Sequence, residues 1–252
     1  MARKIAILSG KGGVGKSTVA ANLGFALAKK CKRVLLADMD FGLNSLDILL
    51  KCDNQVTFDL NDVIQNRCRF RQALINDKKI PNLYIILSGT YKPTDAAVFV
   101  DMIKKEEQNF DYILFDCSAG VNKSLIAPLS VSDESLIVVT PHFVSVKDAQ
   151  KAVIYAKTFN LLQVYVAVNR IRGDLVRLGE QMSAFEVFSL INAKPLGVVP
   201  ENDELNGFIR TDSSYFDVMA DNLLNGKQML YDYLSEYKGI FGKIKSKIKR
   251  NA

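Results

Sequence analysis

The sequence predicts an α/β fold in which a mostly parallel β-sheet has helices on both faces, so that the domain has three layers. Short apolar runs alternate with longer amphipathic stretches along the chain, and this alternation is typical of parallel sheets covered by helices. The runs are apolar at almost every position, which indicates strands that are buried on both faces. With 252 residues, 48% of them hydrophobic, the chain is long enough to enclose the core of one large domain.

The same alternation predicts the order of the strands and helices. Strands are expected at residues 4–8, 33–37, 83–87, 112–115, 135–140, 164–169 and 196–199. Helices are expected at residues 16–30, 57–65, 94–108, 123–131, 146–159, 184–191, 203–208 and 216–237. Residues 1–236 are assigned to this domain, and residues 237–252 are assigned to a separate C-terminal tail.

Charge and cysteine content narrow the classes of function. The net charge is +6, and the tail contains six basic residues and no acidic one, so the rest of the chain is balanced. A balanced domain disfavours general nucleic-acid binding, and the absence of any run of about 18 uncharged apolar residues disfavours a membrane-spanning helix. The four cysteines form no C-x-x-C pair and are expected to be reduced thiols in the cytoplasm.

A glycine-rich loop follows the first predicted strand and directly precedes a predicted helix, in the pattern G-x-x-x-x-G-K-[ST]. Glycines let backbone N–H groups surround a phosphate, and a helix N-terminus adds a partial positive charge. Lys16 can reach the β- and γ-phosphates, and the Ser17 hydroxyl can ligate Mg²⁺. The alternative is a glycine turn that only joins strand to helix. The loop residues predicted to bind ATP are Gly10, Lys11, Gly12, Gly13, Val14, Gly15, Lys16, Ser17 and Thr18.

Acidic side chains follow two further predicted strands. Asp38 and Asp40 form a D-x-D pattern, and Asp116 ends a hydrophobic run. Ligands of parallel sheets lie at the carboxyl ends of the strands, so these carboxylates are expected near the glycine loop. A carboxylate of the D-x-D pattern can orient water for attack on a γ-phosphate or help to hold Mg²⁺, and Asp116 is predicted to hold Mg²⁺ and its waters. The alternative for the D-x-D pattern is a turn with two solvated acids. The alternative for Asp116 is a side chain that only caps the end of its strand.

Three other residues at predicted strand ends are candidates for contact with the nucleotide. Gly120 follows Asp116 closely and can bring a backbone N–H near the γ-phosphate. The amide of Asn169 can bond the amino edge of adenine, and Arg170 can stack or pair nearby. The signal at residues 169 and 170 is weak alone, because asparagine at a strand end is more often a turn former.

Several of these segments resemble the MinD/ParA family of ATPases. The glycine loop is similar to the deviant Walker A signature of the family, K-G-G-x-G-K-[ST], in which Lys11 is the additional lysine. Residues 38–47 resemble its switch I, D-x-D-x-G-L-x-N-L-D, and residues 116–120 resemble its switch II, D-x-P-A-G. Ser45 stands where the family usually has asparagine. Ser118 replaces a proline that would restrict the backbone, which predicts a more mobile switch II.

The resemblance implies roles for individual residues. Lys11 is expected to cross a dimer interface to the phosphates of the partner chain, and Asp40 is expected to position the attacking water. Asn169 and Arg170 match the V-N-R segment that flanks the base, and Pro200 and Glu201 resemble the second base-flanking loop. The catalytic residues implied are Lys11, Lys16 and Asp40, and those implied to hold Mg²⁺ are Ser17, Asp40 and Asp116.

The tail has the pattern of an amphipathic helix that lies on a membrane surface. At the helical 100° per residue, its apolar side chains fall within an arc of about 100°, and lysines surround them. These apolar residues are Tyr237, Ile240, Phe241, Ile244 and Ile248. Such a face suits acyl chains and anionic headgroups, and the position matches the membrane-targeting sequence of the family. Nucleic-acid binding by a basic tail and packing of the stripe on the domain are the alternatives.

Resemblance to the MinD members of the family implies a peripheral membrane ATPase of division-site selection. It implies a homodimer formed with ATP, located in the cytoplasm and reversibly on the inner face of the cell membrane. A MinC-type division inhibitor and a MinE-type or other topological regulator are the implied partners, and no nucleic acid is expected. Two other functions remain open: a flagellar-number regulator of the FlhG type, and a ParA-like DNA-partition ATPase, which should carry its lysines on the globular body.

Overall fold

A computed structural model describes residues 1–41, 45–50, 56–76, 80–89, 96–202 and 213–237. Within these ranges, eight strands form one sheet in the order β3-β4-β2-β5-β1-β6-β7-β8. The strands are β1 Arg3–Leu8, β2 Val34–Met39, β3 Ile75–Asn76, β4 Leu83–Ile86, β5 Tyr112–Cys117, β6 Glu134–Val139, β7 Gln163–Ile171 and β8 Lys194–Pro200. All neighbouring strands are parallel except β3, which is antiparallel to β4. The predicted mostly parallel sheet is confirmed.

Helices cover both faces of this sheet. In the described ranges they are α1 Lys16–Lys29, α2 Ser45–Leu50, α3 Leu60–Ile64, α4 Ala96–Glu106, α5 Ile126–Val131, α6 Phe143–Lys157, α7 Gly173–Leu178, α8 Ala184–Leu190 and α9 Ser214–Asn225. Helices α1, α2 and α9 contribute to the core on one face, and α3, α4, α5, α6 and α8 contribute to the core on the other. No helix in the described part of the chain is long and apolar enough to cross a membrane.

The two cores are separated by the sheet because side chains alternate along each strand. In β1, Ala6 and Leu8 pack into one core, while Ile5 and Ile7 pack into the other. All four are at most 1% exposed. The central strand β1 is therefore buried on both faces. This packing holds its carboxyl end, from which the glycine loop begins, in a fixed position.

The structure differs from the predicted elements at several short segments. Strand β3 has two residues and helices α2 and α7 have six each, so none is long enough to show a clear hydrophobic period. Helix α6 begins at Phe143, three residues before the predicted start, because the Ser145 hydroxyl accepts a hydrogen bond from the Thr140 N–H at 3.1 Å and holds the first turn against β6. The helix predicted at residues 203–208 lies outside the described residues.

The last predicted helix is shorter than expected. Helix α9 ends at Asn225, because Gly226 takes a left-handed conformation with φ of +64° and stops the helix. The chain then runs to a short 3-10 turn at Ser235–Tyr237. The segment after α9 is therefore held by packing and turns and not by a continuous helix.

Candidate functional site

The glycine-rich loop lies between the end of β1 and the start of α1, as predicted. Gly13 and Gly15 have φ angles of +78° and +83°, a conformation that residues with a Cβ atom rarely adopt. Gly15 is the N-cap residue of α1, and no side chain of the described residues caps this helix end. The N–H groups of the first turn of α1 thus face the loop without a side-chain partner, and such groups are suited to bind a phosphate.

Gly10 lies directly against the backbone of α6. A Cβ atom on Gly10 would be 2.2 Å from the carbonyl carbon of Asp148 and 2.7 Å from the amide nitrogen of Ala149. Backbone atoms of a packed helix cannot withdraw as the end of a side chain can, so only glycine fits here. Helix α6 therefore supports the first residue of the loop from behind.

Lys16, the first residue of α1, extends towards β5 and forms a buried ion pair. Its Nζ atom lies 2.5 Å from Oδ1 of Asp116, and the two side chains are 7% and 0% exposed. Burial alone would lower the pKa of Lys16, but the adjacent carboxylate of Asp116 outweighs it and the pKa is raised. Lys16 is consequently a fixed positive charge at the mouth of the glycine loop, where the phosphates are predicted.

Asp38 and Asp116 stand side by side at the ends of β2 and β5, where they are register partners. Both are fully buried, and Oδ1 of Asp38 accepts a hydrogen bond from the N–H of Asp40 at 2.8 Å. Burial, and then the negative charge of Asp116, raise the pKa of Asp38 to about 7. The alternative of a solvated acid in a turn is therefore wrong for Asp38. The D-x-D pattern alone does not distinguish this buried residue from Asp40.

The raised pKa of Asp38 predicts a stability that depends on pH. Between about pH 4 and about pH 7, the folded chain binds a proton that the unfolded chain does not, so the free energy of unfolding falls as pH rises through this window. The slope is at most about 1.4 kcal/mol per pH unit. Urea unfolding at several pH values in this window should show a shallower decline for Asp38→Asn. The exposed Asp101→Asn variant on α4 should keep the wild-type slope, and an equal slope in Asp38→Asn would contradict the assignment.

The side chains at this edge suit Mg²⁺, which prefers oxygen ligands. Oδ2 of Asp116 is buried and has no hydrogen-bond partner among the described residues, and a carboxylate oxygen in that position requires a cation or a donor. The hydroxyl of Ser17 accepts a hydrogen bond at 3.4 Å from Nζ of Lys16, the same atom that pairs with Asp116. Asp40 follows at the end of β2, and burial raises its pKa despite the charge of Lys16. Each member of the predicted set Ser17, Asp40 and Asp116 therefore interacts with Lys16, and Asp38 is an additional carboxylate next to Asp116.

Gly120 places its backbone amide at the glycine loop. Its φ angle is +78°, and its N–H donates a hydrogen bond to the carbonyl of Ser9 at 2.9 Å. The amide predicted to face a γ-phosphate is thus adjacent to the loop but bonded to the residue that precedes it. This N–H must leave Ser9 before it can bind another acceptor.

Asn169 and Arg170 reach the glycine loop from the end of β7. The buried amide of Asn169 donates to the carbonyl of Val14 at 2.7 Å, so this side chain braces the loop. Arg170 has a left-handed φ of +58°, and its Nε atom comes within 3.9 Å of the Cβ position of Gly15. Their contact with a base remains a prediction.

Pro200 and Glu201 lie at the end of the neighbouring strand. Pro200 is the last residue of β8, and the N–H of Glu201 donates to the carbonyl of Ile171, at the end of β7, at 3.0 Å. This bond holds the two strand ends together. The two segments predicted to flank the base therefore lie side by side at the same edge of the sheet.

Lys11 differs from Lys16 in its surroundings. It lies beside the exposed Gly12 and Gly13 and is partly exposed itself. Among the residues that the structure describes, it has no hydrogen-bond or ion-pair partner. Lys11 is therefore available to an anion from outside these residues, whereas Lys16 is already paired with Asp116 inside the site.

The structure corrects one residue of the predicted membrane face. Tyr237 is 5% exposed, its ring lies against Gly173, and its carbonyl accepts a hydrogen bond from Nη1 of Arg177 at 2.6 Å. The ring is buried because Tyr237 ends the 3-10 turn in contact with Gly173, the first residue of α7. Tyr237 therefore belongs to the domain, and Ile240, Phe241, Ile244 and Ile248 lie outside the described residues.

Comparisons with known proteins agree with this geometry. A family model described as an AAA domain matches residues 2–164. The septum site-determining protein MinD of Bacillus subtilis is 36% identical over 210 residues, which span 81% of this chain and 78% of that protein. A chain of the MinC:MinD cell division protein complex of Aquifex aeolicus is 32% identical, with a TM-score of 0.82, over 90% of this chain and 97% of its own. MinD of Pyrococcus horikoshii, complexed with Mg-ADP, is 25% identical with a TM-score of 0.75, over 95% of this chain and 100% of its own.

Proposed function

Because this chain belongs to the MinD family of septum site-determining ATPases, we propose that it cycles on and off the cell membrane as its bound nucleotide changes. It is an ATPase that uses ATP and Mg²⁺, and it acts in division-site determination. We further propose that it dimerises with ATP and recruits a MinC-type division inhibitor to the inner face of the membrane. A MinE-type or other topological regulator would then stimulate hydrolysis.

The observation that carries this proposal is the meeting of Lys16, Asp116 and Asp38 at the glycine loop. Lys16 would exchange its contact with Asp116 for the β- and γ-phosphate oxygens, since both are anionic partners at the same mouth. Ser17 and Asp116 would hold Mg²⁺, whose charge offsets that of the phosphates. Asp40 would orient the attacking water, and Gly120 would donate its N–H to the γ-phosphate once released from Ser9.

Dimerisation is proposed to depend on Lys11. Its position at the rim and its lack of a partner among the described residues leave it suited to reach an anion that another chain holds. In a dimer with nucleotide bound between the two chains, the Lys11 of each chain would contact the phosphates that the other chain holds. ADP lacks the γ-phosphate and would offer less charge, so the dimer would separate after hydrolysis.

Membrane attachment is proposed to depend on the tail beyond Tyr237. Four large apolar side chains and six basic residues follow this point, a composition suited to an anionic bilayer surface. One such tail binds weakly, whereas two tails held in a dimer gain avidity by about 10²–10⁴-fold. The nucleotide state would thus control membrane affinity without any change in the tail itself.

Co-sedimentation with liposomes that contain anionic lipids tests this cycle. The full chain is expected to pellet with ATP and to remain in solution with ADP. A chain ending at Tyr237 should not pellet with either nucleotide, and this end point keeps the buried ring of Tyr237 in place. Lys11→Ala, with its tail intact, is expected to bind ATP and yet fail to pellet.

The other outcomes identify the competing functions. Equal pelleting of the full chain with ATP and ADP would make the tail a simple anchor and would refute the cycle. No pelleting would redirect the proposal to DNA or to a protein partner. In that case, DNA retention by the chain ending at Tyr237 would favour a ParA-like partition ATPase, whose DNA-binding surface lies on the domain.

A further inference from the structure

Ser118 begins a set of side-chain hydrogen bonds that spans the turn after β5. We name residues 118–124 the switch II turn. The Oδ1 atom of Asn122 accepts hydrogen bonds from the backbone N–H of Ser124 at 2.8 Å and from the Ser124 hydroxyl. The Ser124 hydroxyl also contacts the hydroxyl of Ser118, and Nδ2 of Asn122 donates to the carbonyl of Ala119 at 3.1 Å.

The direction of these bonds follows from the chemistry of the groups. The amide oxygen of Asn122 can only accept, so the Ser124 hydroxyl must donate to it. Its single proton is then used, so the Ser118 hydroxyl must donate to Ser124. The network therefore runs from Ser118 through Ser124 to Asn122 and returns to the backbone at Ala119. Such a chain of polarised hydrogen bonds holds its members more firmly than separate bonds would.

A backbone hydrogen bond joins the switch II turn to Ser9, the residue that precedes the glycine loop. The N–H of Gly120, two residues after Ser118, donates to the carbonyl of Ser9. The network encloses Gly120, because its ends at Ser118 and Ser124 lie on either side of it. The orientation of this amide therefore depends on the shape that the network imposes on the turn.

We propose that Ser118 is a positioning residue for recognition of the γ-phosphate. Acting through Ser124 and Asn122, it keeps the switch II turn beside the glycine loop, so that the Gly120 N–H needs only to exchange the carbonyl of Ser9 for the γ-phosphate. The inference rests on the proposed function, in which Gly120 donates to the γ-phosphate. Ser118 does not touch the nucleotide in this account.

The hydrogen bonds of the switch II turn take the place of the restriction that proline would impose on the backbone at position 118. Proline fixes φ and lowers the conformational freedom of a segment. Serine lacks the ring, but the bonds through Ser124 and Asn122 restrict the same turn. The greater mobility expected of switch II stays a prediction, and the structure adds that the Ser118 side chain is bonded within the turn.

The test compares affinities of the full chain, with Mg²⁺, for a non-hydrolysable ATP analogue and for ADP. Ser118→Ala is expected to weaken binding of the analogue by about 3- to 10-fold, the effect of losing one hydrogen bond, and to leave ADP binding unchanged. Ser124→Ala, which keeps the backbone N–H that Asn122 caps, should match it. The double variant should show no further loss, because both hydroxyls act in one network, and Ser118→Thr should restore wild-type affinity.

The remaining outcomes separate failure of this inference from failure of the proposed function. If the wild-type chain binds the analogue no better than ADP, then Gly120 does not contact a γ-phosphate and the proposed function is at fault. If the wild-type chain has a preference that Ser118→Ala retains, or if the variant loses affinity equally for both nucleotides, Ser118 has no positioning role. Ser130→Ala, which removes an exposed hydroxyl bonded within α5, is the matched control and should behave as wild type.

Discussion

Replacement of Lys16 with methionine is expected to reduce ATP hydrolysis by about 10²–10³-fold, the loss typical when one donor to a developing negative charge is removed. The same substitution should lower the free energy of unfolding by about 3–5 kcal/mol, because it leaves the carboxylate of Asp116 buried without its partner. The side chains of Lys16 and Asp116 are 7% and 0% exposed, so water cannot reach the carboxylate of Asp116 to solvate it. Steady-state hydrolysis and urea unfolding measure the two effects.

Two further variants separate the catalytic effect from the structural one. Lys16→Met combined with Asp116→Asn removes the unpaired charge, so it should recover much of the stability while hydrolysis remains lost. Lys151→Met breaks an ion pair with Asp148 in which the lysine is 73% exposed, and it should cost less than about 1 kcal/mol. Unfolding of Lys16→Met at the wild-type free energy would show that the buried pair does not stabilise the fold.

Replacement of Asp40 with asparagine is expected to lower kcat by about 10²–10⁴-fold, the range for removal of a group that positions or deprotonates a nucleophile. ATP affinity should change little, because the nucleotide is held by the glycine loop, and Asn retains the backbone N–H that donates to Asp38 at 2.8 Å. Single-turnover hydrolysis and equilibrium binding of ATP test the two halves of this prediction.

The pattern of kcat and affinity decides the role of Asp40. A fall in affinity equal to the fall in kcat would indicate that Asp40 holds the nucleotide and does not act on the water. Retention of wild-type kcat would transfer the role to another carboxylate at this site, such as Asp38 or Asp116. Asp101→Asn on α4, exposed and outside the glycine loop, should keep wild-type values in both assays.

The sheet and the glycine loop follow from local sequence because each has a strong local signal. The seven predicted strands are almost continuously apolar runs that pair in one sheet, and the motif at residues 10–18 lies between β1 and α1 as its context requires. Strand β3 gives no such signal. Its two residues pair with β4 only because the chain returns beside it, which is a tertiary effect.

The burial and contacts of single residues are harder to predict from the sequence, because they depend on neighbours that are distant in sequence. Asp38 and Asp40 are equivalent in the D-x-D pattern, yet Asp38 is the one paired in register with Asp116 and fully buried. Tyr237 shares its helical arc with the apolar residues of the tail, yet the turn that it ends buries its ring against Gly173. In both cases, a contact with a residue far along the chain determines whether the side chain is buried. The local sequence pattern does not predict that contact.

The close approach of Gly10 to α6 restricts how this gene can change. Every single-base change that alters a glycine codon introduces either a stop signal or an amino acid with a Cβ atom, and a Cβ atom on Gly10 would lie 2.2 Å from the carbonyl carbon of Asp148. Unlike Gly13 and Gly15, Gly10 does not have a positive φ angle. The first glycine of the motif is therefore imposed by the neighbouring helix, and a lineage could relax it only by moving α6 at the same time.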